Sequence, residues 1–262
     1  FGVIEKDENG ETNGLLRGQA TNLVLDVIKW SQEDKLKAIQ QACRDFHAVG
    51  FTTVIEPGLL AEDIEAFRES HRRDELTHRV QIQIGFLQSL SETQWAVDNY
   101  VVGGDDILRI TGLKMAVDGG VGPRTALCYD GYLDKPDVHG NMMIQQDELN
   151  QMVELGHRNG FQIAIHAIGD QAIDMTMDAY EYAQKTSPRP DPRHQIVHCY
   201  FPTEKAKKQL VDLGVMVNTQ TPFFYFLGES FIEALGMERC KECMPVKTLT
   251  ELGVPVGISH DA

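Results

Sequence analysis

The sequence predicts an α/β fold: a parallel sheet wrapped by helices, of the TIM (β/α)8-barrel type, forming one domain over residues 1–262. Three observations carry this. A helical stretch, a glycine and a short β-branched run follow one another four times, at residues 46–55, 157–165, 211–217 and 250–258. The short runs are almost wholly apolar, as strands covered on both faces are. The 262 residues also come close to the roughly 250 that one such barrel occupies.

Residues 1–17 are polar and rich in Gly and Asn and give no buried strand. Residues 23–30 are apolar but short, a strand or a helical turn. Ser31-Gln32-Glu33-Asp34 approximates a capping box with a shorter acid and opens the first long helix. Gly50 then takes the left-handed conformation that ends a helix, and Gly160, Gly214 and Gly253 repeat the device. Strands follow at residues 52–55, 80–86 and 110–117, with a capping box at Ser91-Glu92-Thr93-Gln94 opening the helix between the last two. Residues 146–159 and 170–184 carry apolar residues at helical spacing and flank a strand at 161–166. Ser187-Pro188-Arg189-Pro190-Asp191-Pro192 cannot be helical and is too short to separate domains. Strands at 195–199, 215–218 and 254–259 bring the count to seven, one fewer than a closed barrel needs. On this count alone an open doubly wound sheet is the alternative.

Composition narrows the function. Lys plus Arg number 24 against 39 Asp plus Glu, a net charge of −15, which argues against nucleic acid or an anionic membrane as partner. No apolar run reaches the roughly 18 residues of a membrane helix. The five cysteines are odd in number and irregular in spacing, which points to a reducing, cytoplasmic compartment. Cys240-Lys241-Glu242-Cys243 is a lone CxxC, without the second pair of a zinc ribbon or the context of a redox motif.

Parallel α/β folds place their chemistry at the C-terminal ends of strands. Ile163-Ala164-Ile165 ends in His166, Gln195-Ile196-Val197 ends in His198, and Val256-Gly257-Ile258 leads into Ser259-His260-Asp261. Leu113-Lys114-Met115 sets a lysine in an apolar strand. One histidine at a strand end is usually a hydrogen-bonded structural residue. Two on successive strands, joined by Asp261 after the last, favour a metal site, since neutral imidazole and carboxylate suit Zn²⁺ or another borderline divalent ion. His194 and His260 lie nearer connectors, as supporting or solvated residues; His47, His71, His78, His139 and His157 read as surface residues.

Taken in order, Leu113-Lys114-Met115-Ala116-Val117-Asp118-Gly119-Gly120, Arg124-Thr125-Ala126, Ile165-His166-Ala167-Ile168-Gly169-Asp170, Val197-His198-Cys199 and Ser259-His260-Asp261-Ala262 resemble the metal-dependent amidohydrolase superfamily, in its YtcJ-like branch related to N-substituted formamide deformylases. Gly14-Leu15-Leu16 and Gly50-Phe51-Thr52-Thr53-Val54 match as well, so the resemblance spans essentially the whole chain. It implies one or two divalent metal ions, zinc first, held by His166 and His198 at the ends of the fifth and sixth strands and by Asp261 after the eighth. It implies that Lys114, on the fourth strand, is a metal ligand in carboxylated form. Asp118, Arg124, Asp170 and His260 are then expected to orient ligands or substrate, with Asp170 equally readable as a helix cap. The superfamily also has a His-X-His after its first strand and a small β-sandwich from both chain ends. This sequence holds neither, so it reads as an internal piece carrying strands 2 to 8, expected to bind metal weakly and to be inactive alone.

The activity implied for the intact protein is hydrolysis of a carbon–nitrogen bond other than a peptide bond, of amide or formamide type, with Asp261 shuttling the proton of the attacking water. The partner is a small-molecule substrate; a homo-oligomer is compatible with the sequence. Two rival readings are a deaminase of a cyclic amidine and a non-catalytic binding protein on a barrel scaffold. Two loops, at residues 131–141 and 221–243, carry Tyr132, Phe223, Phe224, Tyr225 and Phe226, which suit either an apolar substrate pocket or the packing of a lid or interface.

Overall fold

The computed structural model describes residues 2–25 and 27–261. Phe1, which opens the polar lead segment, Asp26 in the apolar run 23–30, and Ala262, the last residue of the Ser-His-Asp-Ala motif, lie outside the described residues. The chain runs β1 (Gly2–Lys6), β2 (Thr12–Gly18), α1 (Asn22–Leu25), α2 (Gln32–Ala48), β3 (Thr53–Leu59), α3 (Ala61–Arg72), β4 (Arg79–Leu87), α4 (Leu90–Asn99), β5 (Gly103–Gly104), β6 (Leu108–Ala116), α5 (Gln146–Arg158), β7 (Gln162–Ala167), α6 (Asp170–Thr186), β8 (Gln195–His198), α7 (Glu204–Leu213), β9 (Met216–Thr219), α8 (Thr221–Cys240), α9 (Val246–Glu251) and β10 (Val256–Ile258).

Strands β3, β4, β6, β7, β8, β9 and β10 pair in parallel and in chain order, with β5 added antiparallel on β6. The order never reverses, which removes the doubly wound alternative. When every right-handed crossover steps the same way, all helices fall on one face and the sheet curls toward the other. The result is a curled half-barrel, open between β3 and β10. All seven expected strands are present among the described residues.

The local signals explain most boundaries. Ser31 caps α2 as a full capping box: its hydroxyl accepts from the Asp34 N–H, and the Asp34 carboxylate accepts from the Ser31 N–H. The second box does not form, and a simple cap two residues upstream replaces it. Ser89, not Ser91, accepts from Glu92 N–H, while Glu92 accepts from Gln88 N–H at 2.7 Å. Gly50, Gly160, Gly214 and Gly253 all take positive φ, as the helix–glycine–strand pattern requires.

Two segments depart from expectation. Residues 2–18 form an antiparallel hairpin, closed where Asp7 accepts from the Asn9 and Glu11 N–H groups. Over residues 2–6 and 12–16 its strands are exposed or half-buried, so no apolar run announced them. Residues 221–240, expected as a loop, form α8, kinked at Gly236 with φ 80°.

The main core packs the helix-facing side of the sheet against the helices, with Ile82, Leu113, Ile163, Ile165, Ile196 and Val217 buried. A second core joins the long segment 117–145 to α8 through Val121, Tyr132, Tyr200, Phe231 and Leu235. This is a lid built over the C-terminal ends of the strands. Among the described residues no helix is long and apolar enough to cross a membrane.

Candidate metal centre

The site forms where β6, β7 and β8 end. Register places Ala116 opposite His166, and Lys114 opposite Ala164 one step lower on the same inward side. Alternation alone puts His198 on the other side, since it pairs with Ala167 of the helix-facing core. Its backbone cancels that. His198 has φ 78° and Cys199 φ 52°, a left-handed pair rare for residues with a Cβ. The twist brings the two imidazoles together at 4.4 Å between ring centroids, edge to face.

Hydrogen bonds fix both tautomers. His166 Nε2 lies 3.2 Å from the Gly119 carbonyl, which only accepts, so Nε2 carries the proton and Nδ1 is bare. His198 Nδ1 lies 2.5 Å from Gln220 Oε1. Gln220 is oriented by its own amide, whose Nε2 donates to Ser259 Oγ at 2.9 Å, so the proton sits on His198 Nδ1 and Nε2 is bare. Neither bare nitrogen has a hydrogen-bond partner among the described residues. Burial, with the neighbouring imidazole and Lys114 adding repulsion, pushes His166 down to about 3. Burial and Lys114 push His198 down to about 4. Both rings are therefore neutral at physiological pH, the form that binds metal.

Lys114 is buried, with Nζ 5.7 Å from the centroid of the Phe86 ring. Burial pushes its ammonium down to about 8, while the Asp261 carboxylate opposes that shift. Asp261 is exposed, with φ 63°, and acts electrostatically on Lys114 and His166. The donors present suit a borderline divalent ion in kind, but two imidazoles are fewer than the three protein ligands of a catalytic zinc. No group of three His, Cys, Asp or Glu side chains is spaced to hold a metal among the described residues. The structure thus brings His166 and His198 together with Lys114 beside them, and leaves Asp261 at the rim.

The other expected site residues bind the architecture. Asp118 is buried, and its carboxylate accepts from Leu127 N–H at 2.8 Å, Gly169 N–H at 2.9 Å and Ile168 N–H at 3.1 Å. It also comes within 3.6 Å of His166 Nε2. Burial pushes its carboxyl up to about 7 against the pull of those donors. Arg124 closes the lid segment on itself by a forked contact with Asp134 at 2.9–3.2 Å. Asp170 is the first residue of α6 and accepts from the Tyr129 and Gln171 N–H groups, each at 2.9 Å; the N-cap is Gly169, with no side-chain cap bond, so the helix-cap reading of Asp170 does not hold. His260 is exposed and touches none of these groups.

Three histidine assignments are corrected. His78 is buried against Phe51 O and stacked on His47, and His157 and His194 form a buried pair. Gln220 was not anticipated, although it is a polar residue just past a strand, the same signal that marked His166. Of the loop aromatics, Tyr132 is buried in the lid core with its hydroxyl on Ala126 O at 2.7 Å, and Phe223 packs against that core. Tyr225 and Phe226 are 85% and 72% exposed. The CxxC closes the lid helix with both thiols free and pushed up by burial, an inert environment.

Known proteins resemble this chain over most of its length. A family model described as "Amidohydrolase family" matches residues 1–262. The chain is 26% identical to the putative amidohydrolase YtcJ of Bacillus subtilis (strain 168), over 100% of its own length and 49% of that protein's. It is 25% identical to the N-substituted formamide deformylase of Arthrobacter pascens, over 99% of its length and 49% of the relative's. A crystal structure of an uncharacterized metal-dependent hydrolase from Pyrococcus furiosus superposes with a TM-score of 0.81 at 25% identity, covering 93% of this chain and 50% of that one. The chain spans about half the length of the curated relatives it matches. With the family model covering it from end to end, the chain belongs to the amidohydrolase family.

Proposed function

We propose that this chain supplies part of the metal centre of a hydrolase acting on carbon–nitrogen bonds other than peptide bonds, with an amide or formamide as substrate. The observation that carries the reading is the pair of bare imidazole nitrogens, His166 Nδ1 and His198 Nε2, each fixed by a hydrogen bond on its other nitrogen. These two nitrogens are the donors that would hold a divalent ion, zinc by preference, with Lys114 beside them; the Asp261 carboxylate, at the rim and not spaced to complete a three-ligand group with them here, would have to move in to join as a ligand. When bound, such an ion makes water a nucleophile at neutral pH.

The remaining chemistry belongs to the side chains. The Asp261 carboxylate takes a proton from the water whose oxygen attacks the carbonyl carbon, and returns it to the nitrogen as the C–N bond breaks. Asp261 is exposed at the rim, so the carboxylate meets substrate and solvent from the same side. Gln220 keeps His198 in its metal-binding tautomer, and the Gly119 carbonyl does so for His166. The Arthrobacter relative's activity on N-substituted formamides supports a formamide-type substrate over an aminated ring.

The test is a zinc titration of the wild-type chain beside His166→Ala and His198→Ala. Affinity is expected to fall at least tenfold in each variant, and unchanged affinity would overturn the assignment. Asp261→Asn in the protein that turns over substrate is expected to cut turnover sharply with metal content largely kept. Release of formate or a carboxylate, as against ammonia from aminated heterocycles, separates the amide reading from deamination.

A further inference from the structure

Away from the metal centre, a cavity of about 210 Å³ lies between helices α2 and α3 and the helix-facing sides of β3 and β4. Its wall is apolar, with Ile39, Cys43, Phe46 and Phe67 among the lining residues, except at Glu56 and His78.

Glu56 is out of place by the logic of the sheet. It pairs with Ile82, which in turn pairs with Ile110, so a carboxylate occupies a row that the next two strands fill with isoleucine. Isolated carboxylates are rarely set in such a layer without a partner. Yet Glu56, half-buried on the outermost strand of the sheet, has no hydrogen bond and no ion pair among the described residues, and its partial burial pushes its pKa up. No Lys or Arg lines the cavity. His78 repeats the pattern. It is 1% exposed, and its Nε2 lies 3.0 Å from the Phe51 carbonyl, so the proton is on Nε2. That leaves Nδ1 a buried acceptor with no partner. Both polar groups on the wall therefore lack donors.

We infer that this cavity is a binding site for a small hydrophobic primary amine in its ammonium form. The ammonium donates to the Glu56 carboxylate, and the apolar body fills the space between α2 and α3. Three N–H donors exceed what one carboxylate oxygen takes, and His78 Nδ1 is the further acceptor on the wall. The volume suits a single-ring ligand, since an apolar cavity of about 150 Å³ accepts benzene.

The experiment compares benzylamine with toluene, its uncharged near-isostere, by ligand-detected NMR and thermal shift at pH 7.5 on the full chain. Benzylamine is expected to bind saturably and at least tenfold more tightly than toluene. Glu56→Gln, which keeps the shape and removes the charge, should bring the two ligands within about threefold of each other. Cys43→Phe, which fills the cavity, should abolish both. If that variant does not fold, the effect of Glu56→Gln on the wall of the cavity locates the site instead. Absence of benzylamine binding, equal binding of toluene, or a preference that survives Glu56→Gln would overturn the proposal.

Discussion

Replacing His194 by glutamine probes a buried chain of neutral groups at the N-terminal end of β7 and β8. His194 Nδ1 accepts from the Ile163 N–H at 3.0 Å, its Nε2 meets His157 Nδ1 at 2.8 Å, and His157 Nε2 meets Ser187 O at 2.7 Å. Because Ser187 O only accepts and Ile163 N only donates, the protons have one arrangement, with His194 Nε2–H donating to His157. Tyr180 stacks on the His194 ring, while Arg189 and Glu154 are the charged groups around His157. Burial, with His157 and Arg189 adding repulsion, pushes His194 down to about 3. The unfolded chain therefore takes up a proton here near pH 6.5 that the folded chain refuses. The sign follows: this stability is fully present above about pH 6.5 and is lost as the pH falls toward 3. Linkage over that span gives a loss of about 2 kcal/mol between pH 7 and pH 5 from this one ring. Urea unfolding of wild type and His194→Gln at both pH values isolates it, because the other histidines are common to both chains. Glutamine retains an acceptor and a donor but does not titrate. The stability gap between the two chains should shrink by about 2 kcal/mol at pH 5. An unchanged gap would refute the neutral-chain assignment.

Two further outcomes follow from the site's supports. Gln220→Leu removes the acceptor from His198 Nδ1 and should weaken zinc binding by about 10- to 100-fold, read by titration with a competing chelator, with little effect on His166. Asp118→Asn replaces a carboxylate that serves three backbone N–H groups with an amide whose NH2 faces one of them; a loss of about 3 kcal/mol in urea is expected, and a loss below about 1 would contradict its role as a tie.

The frame of this molecule was legible because its signals are local. Gly50, Gly160, Gly214 and Gly253 each mark a helix end by a conformation that only glycine takes cheaply, and the apolar runs after them have no role except as buried strands. The strand-end rule then singled out His166 and His198, whose rings the structure sets together, while Lys114 stood out as a lysine inside an apolar strand. What stayed hidden was set by direction or by distant partners. The residues 2–18 pair across an exposed hairpin without an apolar face to advertise it. In α8, aromatic and glycine residues interrupt the helical period, and burial against the lid segment, far away in sequence, decides the helix. His157 lies in the last turn of α5, an ordinary surface position, and is buried only because the proline connector folds over it. Nothing in Val197-His198-Cys199 says that the chain turns left-handed there.

That left-handed turn at His198 and Cys199 sets the terms on which this site can change by mutation. Glycine or asparagine would accept the same backbone at lower energy, by about 1 kcal/mol for glycine, so substitutions that abolish the imidazole are among those the local backbone favours. That backbone gain is opposed by the buried imidazole's packing on His166 and Tyr200 and by its bond to Gln220, whose loss costs about 1–3 kcal/mol, so the side chain's contacts hold the strained turn in place. The segment is a place where the backbone and the side chain pull in opposite directions, and the imidazole's partners decide which wins.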